Sequence, residues 1–468
     1  MKMATTSAFA FLSIFNLLLF STFSALALDI GIGIGIGSNG KTPPPSESPD
    51  CNTPPPPPPP PLPPPPPPPT LPPPPPMPKP PRKQPPSTSP TKPPALRFES
   101  ERIRIAYFVI KDYKSRIEND PLQVKKTWVG TDVCHYTGFS CDVVPNYGKQ
   151  RGVSGLSFNN FNFSGRRLSL DGLVEKLPDL TFFHANSNFF FSTIPKLIST
   201  VNFFYELDLS NNKFTGPFPS EVLGAVNLTF LDIRFNNYYG PIRSELFDMD
   251  IITAIFLNNN KFNQDIPANL GNTPARYLTF TSNELTGPIP KSIGIGKTKK
   301  NLIEVLFSDN KLSGCLPMEI GLLENTVLFN ASKNCLTGPI PYSFCCLTKM
   351  EILNFFGNNL YGAIPEDVCK LPNLQKFNLS NNFITQVGPV CRSLIWKNIL
   401  DVSGNCILGL PKQRPEKECT NFFSKAHSCP DEKSMKIIPC KATDYYQSHP
   451  PPPRKLTEMR TTAALIPN

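Results

Sequence analysis

Apolar and polar residues alternate in one fixed pattern that recurs eleven times between Arg151 and Pro411. The clearest copy is Leu207–Pro219, with the sequence LDLSNNKFTGPFP. Its alternating apolar residues predict a short strand with one buried face in each copy. The period of 23 to 27 residues predicts a solenoid of stacked turns. The asparagine of the pattern recurs at Asn188, Asn212, Asn236, Asn260, Asn283, Asn310, Asn334, Asn358, Asn382 and Asn405, and Phe161 takes its place in an earlier, degenerate copy.

This period and pattern are typical of leucine-rich repeats, so we predict an α/β leucine-rich-repeat solenoid. About 11 turns would stack into a curved parallel sheet on the concave face. Disulfide-stapled caps are expected at both ends, because a terminal turn would otherwise expose its apolar edge to water. The recurring asparagine is expected to be buried, since its amide can both donate to and accept from backbone groups where the chain turns.

The first 97 residues differ in composition from the repeats. The apolar run Phe9–Phe20 is followed by Ala25–Ala27, which predicts a secretory signal peptide rather than a membrane anchor. Nearly pure proline blocks in residues 54–81 predict polyproline II structure without a core. The predicted regions are a signal peptide (1–27), a Gly/Ile and then proline-rich segment (28–97), an N-terminal cap (98–150), leucine-rich repeats (151–411), a C-terminal cysteine cap (412–440) and a disordered tail (441–468).

The N-terminal cap is predicted from helical spacing and from two cysteines. Apolar residues in 98–118 recur at helical spacing, which predicts an amphipathic helix over the open first turn. Cys134 and Cys141 follow and are expected to close the cap with a short disulfide. The apolar positions of the helix are Ile103, Tyr107, Ile110, Tyr113 and Ile117.

Thirteen cysteines fit an exported protein, because oxidising compartments preserve disulfides. Cys345 and Cys369 are one repeat period apart, so stacked turns would bring them within disulfide range, and we predict that they pair. Cys346 is the competing partner. Cys51, alone in the proline-rich segment, is either an intermolecular bridge or a free thiol. The cysteines assigned to the C-terminal cap, with their connectivity open, are Cys391, Cys406, Cys419 and Cys429.

The net charge of the chain bears on the class of partner that it binds. Glycosylation sequons give separate support for export. The formal net charge of +10 could suit nucleic acid, but export and the lack of a nucleic-acid-binding motif exclude that partner. An anionic extracellular polymer such as pectin fits the charge better, and solubility alone explains it equally well. Beyond the signal peptide, no apolar run of about 18 residues predicts a membrane span. The sequons are at Asn162, Asn227, Asn330 and Asn378.

Residues between the buried strand positions are expected to point outward and line the concave face. They mix carboxylates with aromatic rings, which on a basic protein favours a basic extracellular peptide or protein as partner. A solvated sheet face is the alternative for each residue. Glycans on Asn330 and Asn378 would crowd the C-terminal half, so we expect the open surface between Glu206 and Glu304. The candidate residues are Glu206, Asp208, Phe230, Asp232, Arg234, Phe256, Asn258, Tyr277, Thr279 and Glu304.

The sequence predicts no enzyme, no catalytic residues, no metal site and no cofactor. Asp208 and Asp232 could stand about 5 Å apart in adjacent turns, a spacing that has meaning in a glycosidase. Repetition of the Leu-Asp-Leu segment explains them better. The histidines lie far apart in the sequence, without metal-ligand spacing or a nucleophile elbow: His135, His184, His427 and His449.

Several motifs resemble one plant family. Asn283–Pro290 (NELTGPIP) has the form of the plant extracellular repeat. Thr127–Cys141 (TWVGTDVCHYTGFSC) resembles the N-terminal cap of plant leucine-rich repeat extensin-like proteins. The resemblance covers residues 98–430. Further similar stretches are Leu312–Gly321, Leu371–Leu374 and Asn405–Arg414.

The resemblance implies a secreted protein of the plant cell wall, whose repeat domain binds basic rapid alkalinization factor peptides and helps to control wall assembly. In that family an extensin tail normally follows the repeats. Here the proline-rich segment precedes them, and Tyr445–Pro453 resembles one fragment of such a tail. Two alternatives stay open: an inhibitor of a wall-degrading enzyme such as a polygalacturonase, and a structural wall protein that acts through the proline-rich segment.

Overall fold

A long parallel sheet, with one strand from each turn, organises the described part of the chain. The structure is a computed structural model and describes residues 96–430, 432–438 and 440. The predicted signal peptide, the proline-rich blocks, Cys51 and the C-terminal tail lie outside these residues. The main sheet has 12 strands, and its strand pairs are parallel except for the first. The predicted leucine-rich-repeat solenoid is confirmed.

The strands of the main sheet follow one another in chain order, which is what a solenoid requires. In sheet order they are β1 (Phe139–Val143), β2 (Arg151–Ser157), β3 (Phe182–His184), β4 (Glu206–Asp208), β6 (Phe230–Asp232), β8 (Ala254–Phe256), β10 (Tyr277–Thr279), β12 (Glu304–Leu306), β14 (Leu328–Asn330), β16 (Ile352–Asn354), β18 (Lys376–Asn378) and β20 (Leu400–Asp401).

Two smaller parallel sheets contain the second strand of many turns. One consists of β5 (Thr215–Pro217), β7 (Asn237–Gly240), β9 (Lys261–Asp265) and β11 (Glu284–Thr286). The other consists of β13 (Ser313–Cys315), β15 (Cys335–Gly338), β17 (Asn359–Ala363) and β19 (Phe383–Gln386).

Short helices complete the turns and the caps. The α-helices are α1 (Glu101–Lys114), α2 (Thr298–Asn301), α3 (Pro389–Trp396) and α4 (Glu416–Phe423). The 3₁₀ helices are Val124–Thr127, Val133–His135, Val174–Lys176, Lys196–Thr200, Ser220–Gly224, Ser244–Asp248, Leu270–Asn272, Lys291–Gly294, Met318–Leu322, Tyr342–Cys346, Val368–Lys370 and Ser434–Lys436.

The recurring asparagines form a buried ladder between adjacent turns, as the sequence predicts. In Asn236, Oδ1 accepts a hydrogen bond from the backbone N–H of Phe214 at 3.0 Å. Its Nδ2 donates to the carbonyl oxygens of Leu209 at 3.0 Å and of Ile233 at 3.1 Å. Every asparagine of the ladder is at most 8% exposed. Each one therefore satisfies buried backbone groups of two turns, which would otherwise lack partners.

An amphipathic helix covers the first turn, as predicted. The helix α1 begins after Ser100, whose hydroxyl accepts a hydrogen bond from the backbone N–H of Ile103 and caps the helix. The hydroxyl of Tyr113 donates to the carbonyl oxygen of Ser169 at 2.7 Å, which fixes the helix to the repeats. Ile117 lies beyond the end of the helix but is buried. The predicted disulfide between Cys134 and Cys141 is present in the cap.

The predicted pairing of Cys345 with Cys369 is wrong. Cys345 is free, and Cys369 pairs with Cys391, with a Cα–Cα distance of 5.2 Å. Cys369 has a cysteine about one period away on either side, so the period alone does not select the partner. Cys346, the competing partner, is bonded to Cys440.

The structure supplies the connectivity of the C-terminal cysteines, which the sequence leaves open, and their bonds are not confined to the cap. Cys406 and Cys419 close a short loop. Two further bonds reach back across 114 and 94 residues, Cys315–Cys429 and Cys346–Cys440. We call the described residues 429–430, 432–438 and 440 the C-terminal strap. Its 3₁₀ helix packs against the 3₁₀ helix Tyr342–Cys346, so the strap crosses earlier turns instead of covering only the last one.

Candidate functional site on the concave face

The strand register places the predicted outward rows side by side. One row runs without a shift from His184 to Asp401. The residues two positions earlier in each strand form a second row. Neighbouring pairs in these rows include Asp208 with Asp232, Glu206 with Phe230, and Tyr277 with Glu304.

Five of the ten candidate residues are closed to a ligand, which corrects the expectation of an open surface beginning at Glu206. Glu206 Oε2 lies 2.9 Å from His184 Nε2. The rings of Phe230 and Phe256 pack edge to face at 5.5 Å. Such mutual contacts fill the strand face between β4 and β8. The buried residues, each at most 7% exposed, are Glu206, Asp208, Phe230, Asp232 and Phe256.

One outward row needs an acceptor oxygen rather than a charge. In six turns, Oδ1 of an aspartate or asparagine accepts a hydrogen bond from the backbone N–H two residues later, at 2.9 to 3.1 Å. Either residue type provides this oxygen, so Asp208 and Asp232 have a structural role. The pairs are Asp208–Ser210, Asp232–Arg234, Asn330–Ser332, Asn354–Phe356, Asn378–Ser380 and Asp401–Ser403.

Asp232 and Arg234 form a closed cluster with Phe256. The side chain of Asp232 is 0% exposed, and its Oδ2 lies 2.9 Å from Arg234 Nε. The guanidinium of Arg234 lies 5.3 Å from the centre of the Phe256 ring. Burial raises the pKa of Asp232 to about 8, although the charge of Arg234 opposes the shift. These contacts within the cluster leave the carboxyl group of Asp232 closed to a ligand.

Two further candidate residues lie half-buried and contact each other. Thr279 Oγ1 donates a hydrogen bond to Asn258 Oδ1 at 2.8 Å. The amide of Asn258 donates to Asn259 Oδ1 at 2.8 Å. This polar chain joins two adjacent turns and offers a ligand little free hydrogen-bonding capacity.

Glu304 is a half-buried carboxylate without a partner. Among the described residues, no hydrogen bond or ion pair reaches its side chain. Burial raises the pKa of Glu304, and the carboxylate of Glu351 raises it further. Glu351 belongs to the turn two further along the chain, and its Oε2 accepts a hydrogen bond from Gln375 at 3.0 Å. The two glutamates form an acidic centre. It lies at the C-terminal limit of the open surface that the sequence predicts between Glu206 and Glu304.

Apolar side chains lie on both sides of Glu304 in its row of the main sheet. In the row of Glu304, Tyr277 precedes it and Leu328 follows it. Half-buried residues extend the apolar surface over neighbouring turns. We define the Glu304 surface as Tyr277, Glu304, Leu306, Glu351, Ile352 and Phe356.

Phe235 is an exposed aromatic residue at the rim of the sheet that the predicted rows omit. It is 49% exposed and has a φ of 52°, in the left-handed region. The equivalent residues of the adjacent turns are Asn211 and Asn259, with φ values of 53° and 56°. Asparagine tolerates this conformation, whereas an aromatic residue there is strained. The signal in the sequence is a bulky residue directly before the ladder residue Asn236.

The glycosylation sequons differ in accessibility. Asn162 and Asn227 are exposed, and Asn378 is half-buried. Asn330 is only 9% exposed, and its Oδ1 accepts the backbone N–H of Ser332. A glycan on Asn330 does not fit this packing, so the argument that glycans crowd the C-terminal half of the face fails at this position.

The described histidines lie in separate environments. His135 Nδ1 is 2.7 Å from a carboxylate oxygen of Asp132, and His184 contacts Glu206 as described above. His427 stacks on Phe422, with ring centres 3.9 Å apart. The structure therefore does not bring these three histidines together.

Comparisons with known proteins decide the family. A sequence profile described as Leucine Rich Repeat matches residues 204–224. The chain is 42% identical over 341 residues to leucine-rich repeat extensin-like protein 2 of Arabidopsis thaliana, which covers 72% of this chain and 42% of the relative. It is 36% identical over 337 residues to leucine-rich repeat extensin-like protein 7 of the same plant, which covers 72% of this chain and 76% of the relative. The chain belongs to the leucine-rich repeat extensin-like family.

The family resemblance inferred from the cap and repeat motifs is thereby confirmed. This leucine-rich repeat extensin-like chain spans less than half the length of extensin-like protein 2. Among solved structures, a plant ice-binding protein matches with a TM-score of 0.54 and 23% identity, covering 66% of this chain and 97% of that chain. At this level of identity, the likeness shows the fold alone.

Proposed function

We propose that this protein is an extracellular binding module of the plant cell wall, and that its Glu304 surface binds a basic signalling peptide. The observation that carries the proposal is the unpartnered carboxylate of Glu304. A lysine or arginine of the peptide would supply the missing partner. Its charge would also favour the ionised form of Glu304, which burial disfavours.

The apolar part of the Glu304 surface supports a peptide over a small cation. Tyr277, Ile352 and Phe356 belong to this surface and are each half-buried. Aliphatic and aromatic side chains of a peptide would remove this apolar area from water. A surface that combines a fixed carboxylate with apolar side chains suits a ligand in which basic and apolar residues alternate.

The family and the disulfides support an extracellular location. Five disulfides join pairs of described cysteines, and such bonds persist in oxidising compartments. In the part of the chain that the structure describes, no helix has both the length and the apolarity to cross a membrane. Exposed Asn162 and Asn227 are the sequons that we propose to carry glycans.

The experiment is a calorimetric titration of the secreted full chain with a synthetic rapid alkalinization factor peptide. We expect saturable binding that weakens as salt rises, because charge attraction contributes to it. We also expect tighter binding as the pH rises through the pKa of Glu304, because only the carboxylate attracts a cation. Heat signals without saturation would contradict the proposal.

A polygalacturonase assay separates this function from the inhibitor alternative. A purified polygalacturonase is mixed with the protein in molar excess, and its rate is measured with and without the peptide. We expect no change in rate. Inhibition of the enzyme together with the absence of peptide binding would replace the proposed function with enzyme inhibition.

A further inference from the structure

Three sulfur atoms lie together where the C-terminal strap crosses the repeats. Cys345 and Cys346 are neighbours in the 3₁₀ helix Tyr342–Cys346, and Cys346 is bonded to Cys440 of the strap. Cys345 is a free, half-buried thiol. The three Sγ atoms all lie within 4.8 Å of one another. A free thiol therefore lies next to a disulfide that it can attack.

Geometry selects which sulfur of the disulfide is attacked. Attack on Cys346 would join two adjacent residues, whose Cα atoms are about 3.8 Å apart. Disulfides usually span roughly 4.4 to 6.8 Å between Cα atoms. Cys440 belongs to a separate segment, is exposed, and lies 5.0 Å from Cys346 between Cα atoms. The sulfur of Cys440 is therefore the electrophile that a thiolate of Cys345 reaches without forming a strained ring.

We propose that Cys345 and Cys346 exchange as the disulfide partner of Cys440, which gives the strap two alternative covalent attachments. The thiol of Cys345 loses its proton to solvent, and the thiolate forms a bond to Cys440 Sγ. The Cys346–Cys440 bond breaks, and its electron pair stays on Cys346 Sγ, which takes up a proton. The number of disulfides does not change, so the exchange consumes no oxidant and no reductant.

The exchange changes the position in which the strap packs on the repeats. Successive residues of a 3₁₀ helix project about 120° apart, since the helix has 3.0 residues per turn. The two attachments therefore hold Cys440 on different sides of the helix Tyr342–Cys346. Ile437 of the strap packs against Met318 and Leu322, and this contact is expected to change when the attachment changes.

The surroundings of Cys345 make the exchange dependent on pH. Burial raises the pKa of the Cys345 thiol, and the charge of Asp367 raises it further. Asp367 is paired with Lys370 at 2.7 Å, and the strap carries Lys433 and Lys436 next to the helix. Because the thiolate is the nucleophile, the rate rises about tenfold for each pH unit below the thiol pKa.

The test maps free thiols in the unreduced, secreted full chain. The protein is incubated at pH 5 or pH 8.5, quenched in acid, alkylated with a maleimide, and analysed by peptide fragmentation. We expect label on Cys345 at pH 5 and on both Cys345 and Cys346 at pH 8.5, in a ratio that does not depend on protein concentration. Label on Cys345 alone at both pH values would overturn the proposal, and so would label on Cys346 that grows with protein concentration.

Two variants complete the test. In Cys346→Ser, we expect a disulfide between Cys345 and Cys440, so neither of these two cysteines should be labelled. Label on both Cys345 and Cys440 would overturn the proposal. In Cys345→Ser, the nucleophile is absent, so Cys346 should stay unlabelled at both pH values. Labelling of Cys346 in that variant would show that the disulfide opens without Cys345, which also overturns the proposal.

Discussion

Arg234 contacts both oxygens of Asp232: its backbone N–H donates to Oδ1 at 3.1 Å, and its Nε lies 2.9 Å from Oδ2. One residue thus accounts for a carboxyl group that the surrounding strands bury completely. The same contacts remove two candidate residues from the surface that a ligand could reach. The burial of Asp232, which raises the pKa of its carboxyl group, also makes the stability of the solenoid depend on pH.

Asp232→Asn is expected to flatten the pH dependence of stability. Asp232 keeps a proton in the folded state below a pH of about 8 and loses it in the unfolded state above a pH of about 4. The folded state therefore binds more protons in this range, and stability falls as pH rises, by at most about 1.4 kcal/mol per unit. Asparagine resembles the protonated, neutral form of aspartate. The free energy of unfolding of the variant should therefore exceed that of the parent by more at pH 8 than at pH 5. Urea unfolding at both pH values measures the difference.

Asp401→Asn is the matched control for that prediction. Asp401 occupies the same row and accepts the same backbone hydrogen bond, from Ser403 at 3.0 Å, but it is only half-buried. A change in pH dependence of equal size in both variants would contradict the role assigned to the burial of Asp232.

Asn260→Leu is expected to destabilise the solenoid by several kcal/mol. The change would leave the backbone N–H of Tyr238 and the carbonyl oxygens of Ile233 and Leu257 without their partner. Each buried backbone group left unpaired costs about 1 to 3 kcal/mol. Asn421→Leu, on the exposed surface of α4, is the control and should change the free energy of unfolding by less than about 0.5 kcal/mol. Equal effects in chemical denaturation would contradict the ladder's role.

The ladder and the disulfides show what the sequence can and cannot predict. The asparagine positions follow from the period, because every turn repeats the same local hydrogen bonds. Cys369 pairs with Cys391 instead of Cys345, because a period gives two equivalent neighbours and only the packing distinguishes them. The bond between Cys315 and Cys429 depends on the path of a non-repeating segment. No periodicity encodes that path.

The candidate surface was only partly predictable for a related reason. Alternation correctly assigns Asp232 and Glu304 to outward rows, but it does not reveal which side chains their neighbours cover. Asp232 is covered by Arg234, two residues later in its own turn, whereas no such residue reaches Glu304 among the described residues. The interchange of aspartate and asparagine along one row was a usable signal for a structural role.

Phe235→Asn is expected to stabilise the protein by about 1 kcal/mol, because asparagine adopts the left-handed conformation at lower cost. The ring is 49% exposed, so the apolar area that it buries offsets only part of this gain. Asn259→Phe is the reverse substitution at the equivalent position of the next turn, where φ is 56°. This variant should be less stable than the parent. Thermal unfolding of both variants tests the pair, and a fall in melting temperature for Phe235→Asn would contradict the strain.

Gly338→Ala is expected to disturb the disulfide between Cys315 and Cys429. Gly338 has a φ of +87°, and an added Cβ would lie 2.3 Å from Cys429 Sγ. Gly216→Ala is the matched control: its φ is +115°, but its Cβ would have no atom within 4 Å. We expect both variants to lose stability from backbone strain. The loss should be larger in Gly338→Ala, and only that variant should show more free thiols than the parent, in which Cys345 is already free. A thiol assay that finds no difference between them would contradict the close contact.

Arg276→Gln is expected to strengthen binding of the basic peptide. Arg276 is exposed and its charge acts on the neighbouring Tyr277, so it lies at the edge of the Glu304 surface. Removing a like charge there would reduce its repulsion of a cationic ligand. Calorimetry at low salt should show the gain, and high salt should diminish it. A weaker complex would mean that Arg276 itself contacts the ligand.

The affinity of Glu304→Gln/Glu351→Gln for the rapid alkalinization factor peptide tests the central claim most directly. We predict a loss of at least about tenfold, or about 1.4 kcal/mol, and a binding constant that no longer rises with pH. The control Glu245→Gln/Glu416→Gln removes the same charge from exposed residues outside the concave face and should bind as the parent does. Equal affinities of the two double variants would contradict the assignment of the Glu304 surface as the peptide site.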